Sequence, residues 1–253
     1  MIMNDLYDIA LKNMNNSFEI LEGHLDAPVK VKFNNGYVYR YKSQDIYAAI
    51  LLKLARTITG LHAIHILNEA GLLQEQAAIQ RILDELSEDV LFLCNSIIFN
   101  DRTEKHDEFL SAFFQDEFDE GRSALESKQK RPMVLRKHIH SYINKDIGQG
   151  DAARGKEASR TLSKGYSGYI HAAAPHVMEL YYGSPPRFHL AGSAHSSPLY
   201  QDHVDDMLNY FYRGILSFAF AAKAFGDESL FKAFLDYSKA FARESGRENH
   251  LIP

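Results

Sequence analysis

Residues 79–97 read IQRILDELSEDVLFLCNSI. Ile79, Ile82, Leu83, Leu86, Val90, Leu93, Cys94 and Ile97 return to one face at about 100° per residue, the period of an α-helix. A strand would return its apolar side chains every second residue instead. The preceding segment repeats the helical pattern through Tyr47, Ile50, Leu51, Leu54, Ile58 and Leu61. Ser43 is the expected N-cap of that helix and Gly71 its expected stop. Two long helices meeting at Gly71 predict an antiparallel helical hairpin at the centre of the fold.

Toward the N-terminus the period changes to two. In residues 29–41, VKVKFNNGYVYRY, Val29, Val31 and Phe33 alternate with lysines, and Tyr37, Tyr39 and Tyr41 alternate after a turn. Asn35-Gly36 suits the positive φ angles of a tight hairpin turn. Before it, residues 4–22 carry Leu6, Ile9, Ala10 and Met14 on one stripe of a short helix.

Toward the C-terminus, residues 105–143 pass from an acidic run, HDEFLSAFFQDEF, to a basic one, KQKRPMVLRKHIH. Pro132 is expected in the first turn of a new helix. Residues 146–160, DIGQGDAARGKEASR, read as a loop. Residues 163–183, SKGYSGYIHAAAPHVMELYYG, read as a helix that Pro175 bends or restarts. GSPPRFHLAGS is a turn with a short extended piece, and residues 199–225 and 227–244 are two last helices split at Gly226-Asp227. The expected fold is mainly α: a helical bundle with an N-terminal β-hairpin. A single domain is expected over 1–253, with residues 1–42 as helix and hairpin and 43–253 as bundle.

The net charge of −5 and pI of about 6.2 make nucleic-acid binding depend on a local basic patch. Cys94 is the sole cysteine, which excludes an intrachain disulfide and a Cys-cluster zinc site. A single thiol suits a reducing cytosol, so a cytoplasmic location is expected. The N-terminus lacks the long apolar core of a signal peptide. Lys53 and Arg56 interrupt the apolar stretch after Ile46, and Lys223 the one after Gly214, so no membrane span is expected.

Four groups of polar residues are candidates for chemistry. Arg81 and Glu85 are four apart and meet on one helix face. They lie off the main apolar stripe, in line with Phe92 and Phe99, which suggests a second, partly buried face. A surface ion pair is the plainer reading. Ser167 and His171 share a face in the same way. An imidazole acts as acid or base near neutrality, or simply as a core hydrogen-bonding group. The alanines at 172–174 would admit a close neighbour. His62, His65 and Glu69 could present metal ligands along one face, but no Glu-x-x-His or His-Glu-x-x-His occurs, so no metal is expected. Lys128, Lys130, Arg131, Arg136 and Lys137, followed by His138 and His140, form the densest basic run, suited to phosphates or to a solvated face. No glycine-rich phosphate loop is present, and no cofactor is implied.

The helix QRILDELSEDVLFL followed much later by YSGYIH resembles a family of bacterial helical proteins with an Arg-x-x-x-Glu helix and a Ser-x-x-x-His helix. That family is similar to HEPN-type folds, the nucleotide-binding or ribonuclease domains of prokaryotic defence and toxin systems. The match spans about residues 43–180. It implies a polar inter-helix cluster of Arg81, Glu85, Ser167 and His171 acting on RNA or a nucleotide. In that cluster Arg81 would hold phosphate, Glu85 would orient it and His171 would be acid or base. Catalytic HEPN ribonucleases carry Arg, a few residues, then His on one helix, and this chain departs from that. Pro132 follows Arg131, and Arg136 stands too close to His140. The alternative expectation is a non-catalytic interaction module with a structural polar cluster, whose tyrosine-rich hairpin or C-terminal helices bind a partner chain. A homo-oligomer is expected in either case.

Overall fold

The computed structural model describes residues 3–33, 36–118, 125–145, 157, 161, 164–192 and 194–248. The protein is mainly helical, with a two-stranded antiparallel hairpin near its N-terminus. Helix α1 spans Met3–Glu22, and strands β1 and β2 span Val29–Phe33 and Gly36–Arg40. Helices α2 (Ile46–Glu69) and α3 (Leu73–Ile98) follow, then α4 (Glu104–Phe114) and α5 (Arg136–Ile143). Residues 164–170 are helical and are called α6. They are followed by α7 (Ala174–Val177), strands β3 (Tyr181–Tyr182) and β4 (Arg187–Phe188), α8 (Tyr200–Ala224) and α9 (Glu228–Glu244).

Helices α2 and α3 form the expected hairpin, and α8 packs against both. Gly71 closes the turn with φ of 67°, a left-handed conformation that costs glycine little. The N-cap of α2 is Asp45 and not Ser43. Its carboxylate accepts from the Ala48 N–H at 2.9 Å, while the Ser43 hydroxyl bonds the same carboxylate. One apolar cluster runs through α1, α2, α3, α8 and α9, and Tyr7, Phe92, Phe211, Phe218 and Phe241 are its largest fully buried side chains. Each such burial contributes about 1.5–3 kcal/mol. Ile9 and Ile82 leave the predicted stripes and are exposed. By length and composition α2 is apolar enough to cross a membrane, but Ile50, Leu51, Leu54, Leu61 and Ile64 are spent in this core.

The hairpin pairs Val29 with Arg40 through to Phe33 with Gly36. Gly36 is therefore the first residue of β2 and not a turn residue. Positions 34 and 35, the second of which belongs to the predicted turn, lie outside the described residues, as do 146–156 and 158–160 of the predicted loop. Pro132 does not open a helix: α5 begins four residues later, after the cap Leu135. The stretch 163–183 is not one helix either. Ala172 takes φ of 49° and ends α6, and Pro175 sits in the first turn of α7.

Candidate functional site

Two acidic pairs four residues apart in DELSEDV give α3 a row of carboxylates. Asp84 and Glu88 lie one turn apart, as do Glu85 and Asp89. Three of them are buried: Asp84 is 2% exposed, Glu88 6% and Asp89 1%. Buried carboxylates need partners, and cations from the surrounding helices supply them. From α2, Lys53 Nζ reaches Asp89 Oδ2 at 2.7 Å. From α5, Arg136 Nη1 reaches Asp89 Oδ1 at 2.6 Å and Glu88 Oε2 at 3.5 Å, and its Nη2 reaches Glu85 Oε2 at 3.4 Å. His140, one turn further along α5, brings Nε2 to 2.9 Å from Glu88 Oε1. From α8, Arg213 donates to Asp84 Oδ1. Arg81 Nη2 lies 2.7 Å from Glu85 Oε1 on α3 itself.

The electrostatics follow from this pairing. Burial alone would lower the pKa of Arg136, but the charge and hydrogen bond of Asp89, with Glu85 and Glu88 behind them, outweigh burial and raise it. Arg213 behaves likewise, with Asp84 as the main opposing charge. Glu88 goes the other way. Burial raises its carboxyl pKa, and His140, Arg136 and Arg213 offset that only in part.

The row borders a cavity of about 260 Å³ between α3, α5 and α8. Asp84, Glu88, Asn144, Arg213 and Ser217 form its polar wall, and Leu91, Leu216 and Phe220 face them. Asp84 Oδ2 is buried and makes no hydrogen bond. Beside Asp84 stands Tyr210, whose hydroxyl pKa is raised by burial and then by the Asp84 charge, so it remains protonated.

The sequence-predicted cluster comes together only in part. Arg81 and Glu85 pair as expected, and of the line through them Phe92 is buried and Phe99 exposed. Among the described residues no hydrogen bond or ion pair joins Ser167 or His171 to Arg81 or Glu85. Ser167 is half-buried, and His171 is exposed just past the end of α6, its N–H donating to the Ser167 carbonyl at 3.2 Å. Tyr166 docks α6 instead. It is buried, donates to Asp206 of α8 and stands 5.9 Å from the Tyr210 ring. The close approach expected of the alanines is made over Gly168, where a Cβ would lie 2.0 Å from Cε1 of His176. That ring packs on Tyr169 at 4.4 Å and reaches the Gly165 carbonyl at 3.1 Å. Tyr169 in turn donates to Glu179 at 3.0 Å, which also accepts from Gln74 of α3 at 3.2 Å.

His65 is buried between Tyr7 and Phe211, with Glu69 at 3.7 Å. Among the described residues no group of His, Cys, Asp and Glu is arranged to hold a metal ion. Of the basic run, Lys128, Lys130, Arg131 and Lys137 are exposed and Arg136 is half-buried. Arg136 turns inward to the carboxylates, and Arg131 donates to the Gln115 carbonyl and pairs with Glu117 at 3.1 Å. Asp84, Glu88, Asp89, His140, Lys53 and Arg213 were not singled out for this cluster by sequence reasoning. The signal for them was the close packing of acids inside an apolar helix, matched by Arg136 and His140 four residues apart.

Glu88 gives a pH test. Its folded pKa lies above its ordinary value of 4.5. The carboxyl therefore contributes fully below about 4.5 and loses that contribution as pH rises through the folded value. Glu88→Gln keeps the shape and does not titrate. Between about pH 4 and about pH 8 the wild-type melting temperature should fall relative to that of Glu88→Gln. A difference that is constant, or that grows in favour of the wild type, would show that Glu88 is not penalised by burial.

No family model, curated protein or solved structure matches the chain.

Proposed function

We propose that the protein is a non-catalytic interaction module whose polar inter-helix cluster is structural. The observation that carries this reading is charge matching. Asp84, Glu85, Glu88 and Asp89 face Lys53, Arg81, Arg136 and Arg213, four carboxylates against four cations. A cluster that neutralises itself leaves no net positive field for a phosphate. Its geometry fixes how α2, α5 and α8 sit on α3, and buried polar groups of this kind specify register. Recognition then falls to the surface. The hairpin is the strongest candidate there, with Val31, Phe33, Tyr37 and Tyr39 all exposed.

Ser167→Ala and His171→Ala separate this reading from the HEPN-like one. On the module reading neither changes the melting temperature by more than about a degree or two, as expected where His171 is exposed and Ser167 half-buried with no side-chain partner among the described residues, and neither changes partner binding. On the same reading the purified protein should turn over neither RNA nor nucleotides. RNA or nucleotide turnover lost in His171→Ala would overturn the reading.

One observation favours the second reading, action on RNA or a nucleotide. Glu88, with its raised pKa, lines the cavity and touches His140, an arrangement suited to acid–base work. Turnover abolished by Glu88→Gln in a protein that remains folded would establish it.

A further inference from the structure

The hairpin is one of two basic-rich stretches without an acidic residue, the other being the 128–145 segment. Lys30, Lys32, Arg40 and Lys42 are the only charged residues between Asp26 and Asp45, in a protein of net charge −5. The pairing register sorts them by face. Lys30 is opposite Tyr39 and Lys32 is opposite Tyr37, so these four side chains share one side of the ribbon. The other side holds Val29, Val31, Phe33, Val38 and Arg40. Arg40 pairs with Asp116 at 2.7 Å, beyond the end of α4.

All four residues of the lysine–tyrosine face are exposed, with Tyr37 at 55% and Tyr39 at 61%. The two tyrosine rings stand 5.7 Å apart at 88° to each other. Lys30 Nζ sits 3.5 Å above the Tyr37 ring. The ammonium is held against the electron-rich face of the ring, so positive charge and aromatic surface lie side by side. A two-stranded ribbon on its own is marginally stable in water.

We propose that the face formed by Lys30, Lys32, Tyr37 and Tyr39 binds single-stranded nucleic acid. This rests on the reading that recognition lies on the surface and not in the buried cluster. It names the partner class and moves the expected contact away from the 128–137 run. Phosphates meet Lys30 and Lys32, and unstacked bases lie on the tyrosine rings. A duplex keeps its bases stacked internally and would use the lysines alone. An acidic peptide would also use only the lysines and leave both rings in water. Tyr39 also lines the groove of about 520 Å³ between the hairpin and the end of α4, so a displaced base has room beside the ring.

The test is fluorescence anisotropy of the full chain with labelled oligo-dT and oligo-U of roughly ten nucleotides. Binding should weaken with salt. Lys30→Gln/Lys32→Gln should flatten the log–log salt slope by about 1.4, two phosphates at about 0.7 each. Tyr37→Ala and Tyr39→Ala should each weaken binding about tenfold with the slope unchanged, and Tyr37→Phe/Tyr39→Phe should bind normally. The phenylalanine pair keeps the rings, so loss of the ribbon's fold is distinguished from loss of stacking. No binding at low salt overturns the proposal. So does equal affinity for a poly-glutamate peptide or a duplex, or binding that survives the lysine substitutions unchanged. Recovery of the oligonucleotide is scored in the same samples. Oligo-U cleaved by the wild type and intact with Glu88→Gln would sink the module reading, whereas the hairpin variants alone decide the nucleic-acid face.

Discussion

Arg136→Ala should destabilise the protein by about 3 kcal/mol, the low end of the 3–5 kcal/mol found when one partner of a buried ion pair is removed. The low end applies because the Arg136 side chain is 31% exposed. Its guanidinium spans Asp89, Glu88 and Glu85, and two of those carboxylates are almost wholly buried. Without it Asp89 keeps only Lys53, and Glu88 keeps only His140 among its contacts in this cluster. Had Arg136 stood on a solvated face, as the basic run also allowed, its replacement would leave folding nearly intact. The difference is decided by urea denaturation beside Arg131→Ala, an exposed pair expected to cost at most about 1 kcal/mol. Equal, small losses in both variants would mean that Arg136 is a surface charge after all.

The second large effect concerns Arg213. Arg213→Met removes the cation from Asp84, which is 2% exposed and has one oxygen already without a hydrogen bond. The expected cost is again about 3 kcal/mol. The informative comparison is the double variant Asp84→Leu/Arg213→Met. Replacing a buried pair by apolar groups of similar volume is often neutral or stabilising, because two desolvation penalties disappear with the attraction. The double variant should therefore recover most of the loss and melt within a few degrees of the wild type, a span of about 1 kcal/mol in a chain of this size. If instead it is as unstable as the single variant, the pair is not what the single substitution breaks. Partner binding by the recovered protein would add that the cavity wall is dispensable for recognition.

The helical core was legible because it is written in one dimension. The apolar face of α3 repeats at the helical period for several turns, and only a helix buries it. The hairpin was legible for the same reason at a period of two. The turn expected at Asn35-Gly36 is corrected only at Gly36, which pairs with Phe33 as the first residue of β2; residue 35 lies outside the described residues. The inward turn of Arg136 was not legible. KQKRPMVLRKHIH is basic throughout, and the four-residue spacing of Arg136 and His140 does not by itself say that this pair faces α3. The burial of Arg136 depends on α5 docking across α3, which is a tertiary fact. Ser167 and His171 are four apart, but Ala172 ends the helix, so the spacing holds while the face is lost. Tyr166 was passed over, although a tyrosine in a helix often combines a buried ring with a polar tip, as it does here toward Asp206.

The central claim, that the charges on α3 are a structural lock between helices, is tested most directly by a double-mutant cycle on Arg136 and Asp89. Wild type, Arg136→Ala, Asp89→Ala and the double variant would be unfolded in urea under one set of conditions. A lock predicts that the two single losses do not add, with a coupling of about 2 kcal/mol, inside the 0.5–3 kcal/mol typical of residues sharing one network. A coupling indistinguishable from zero would contradict it, because the helices would then be held by their apolar faces alone.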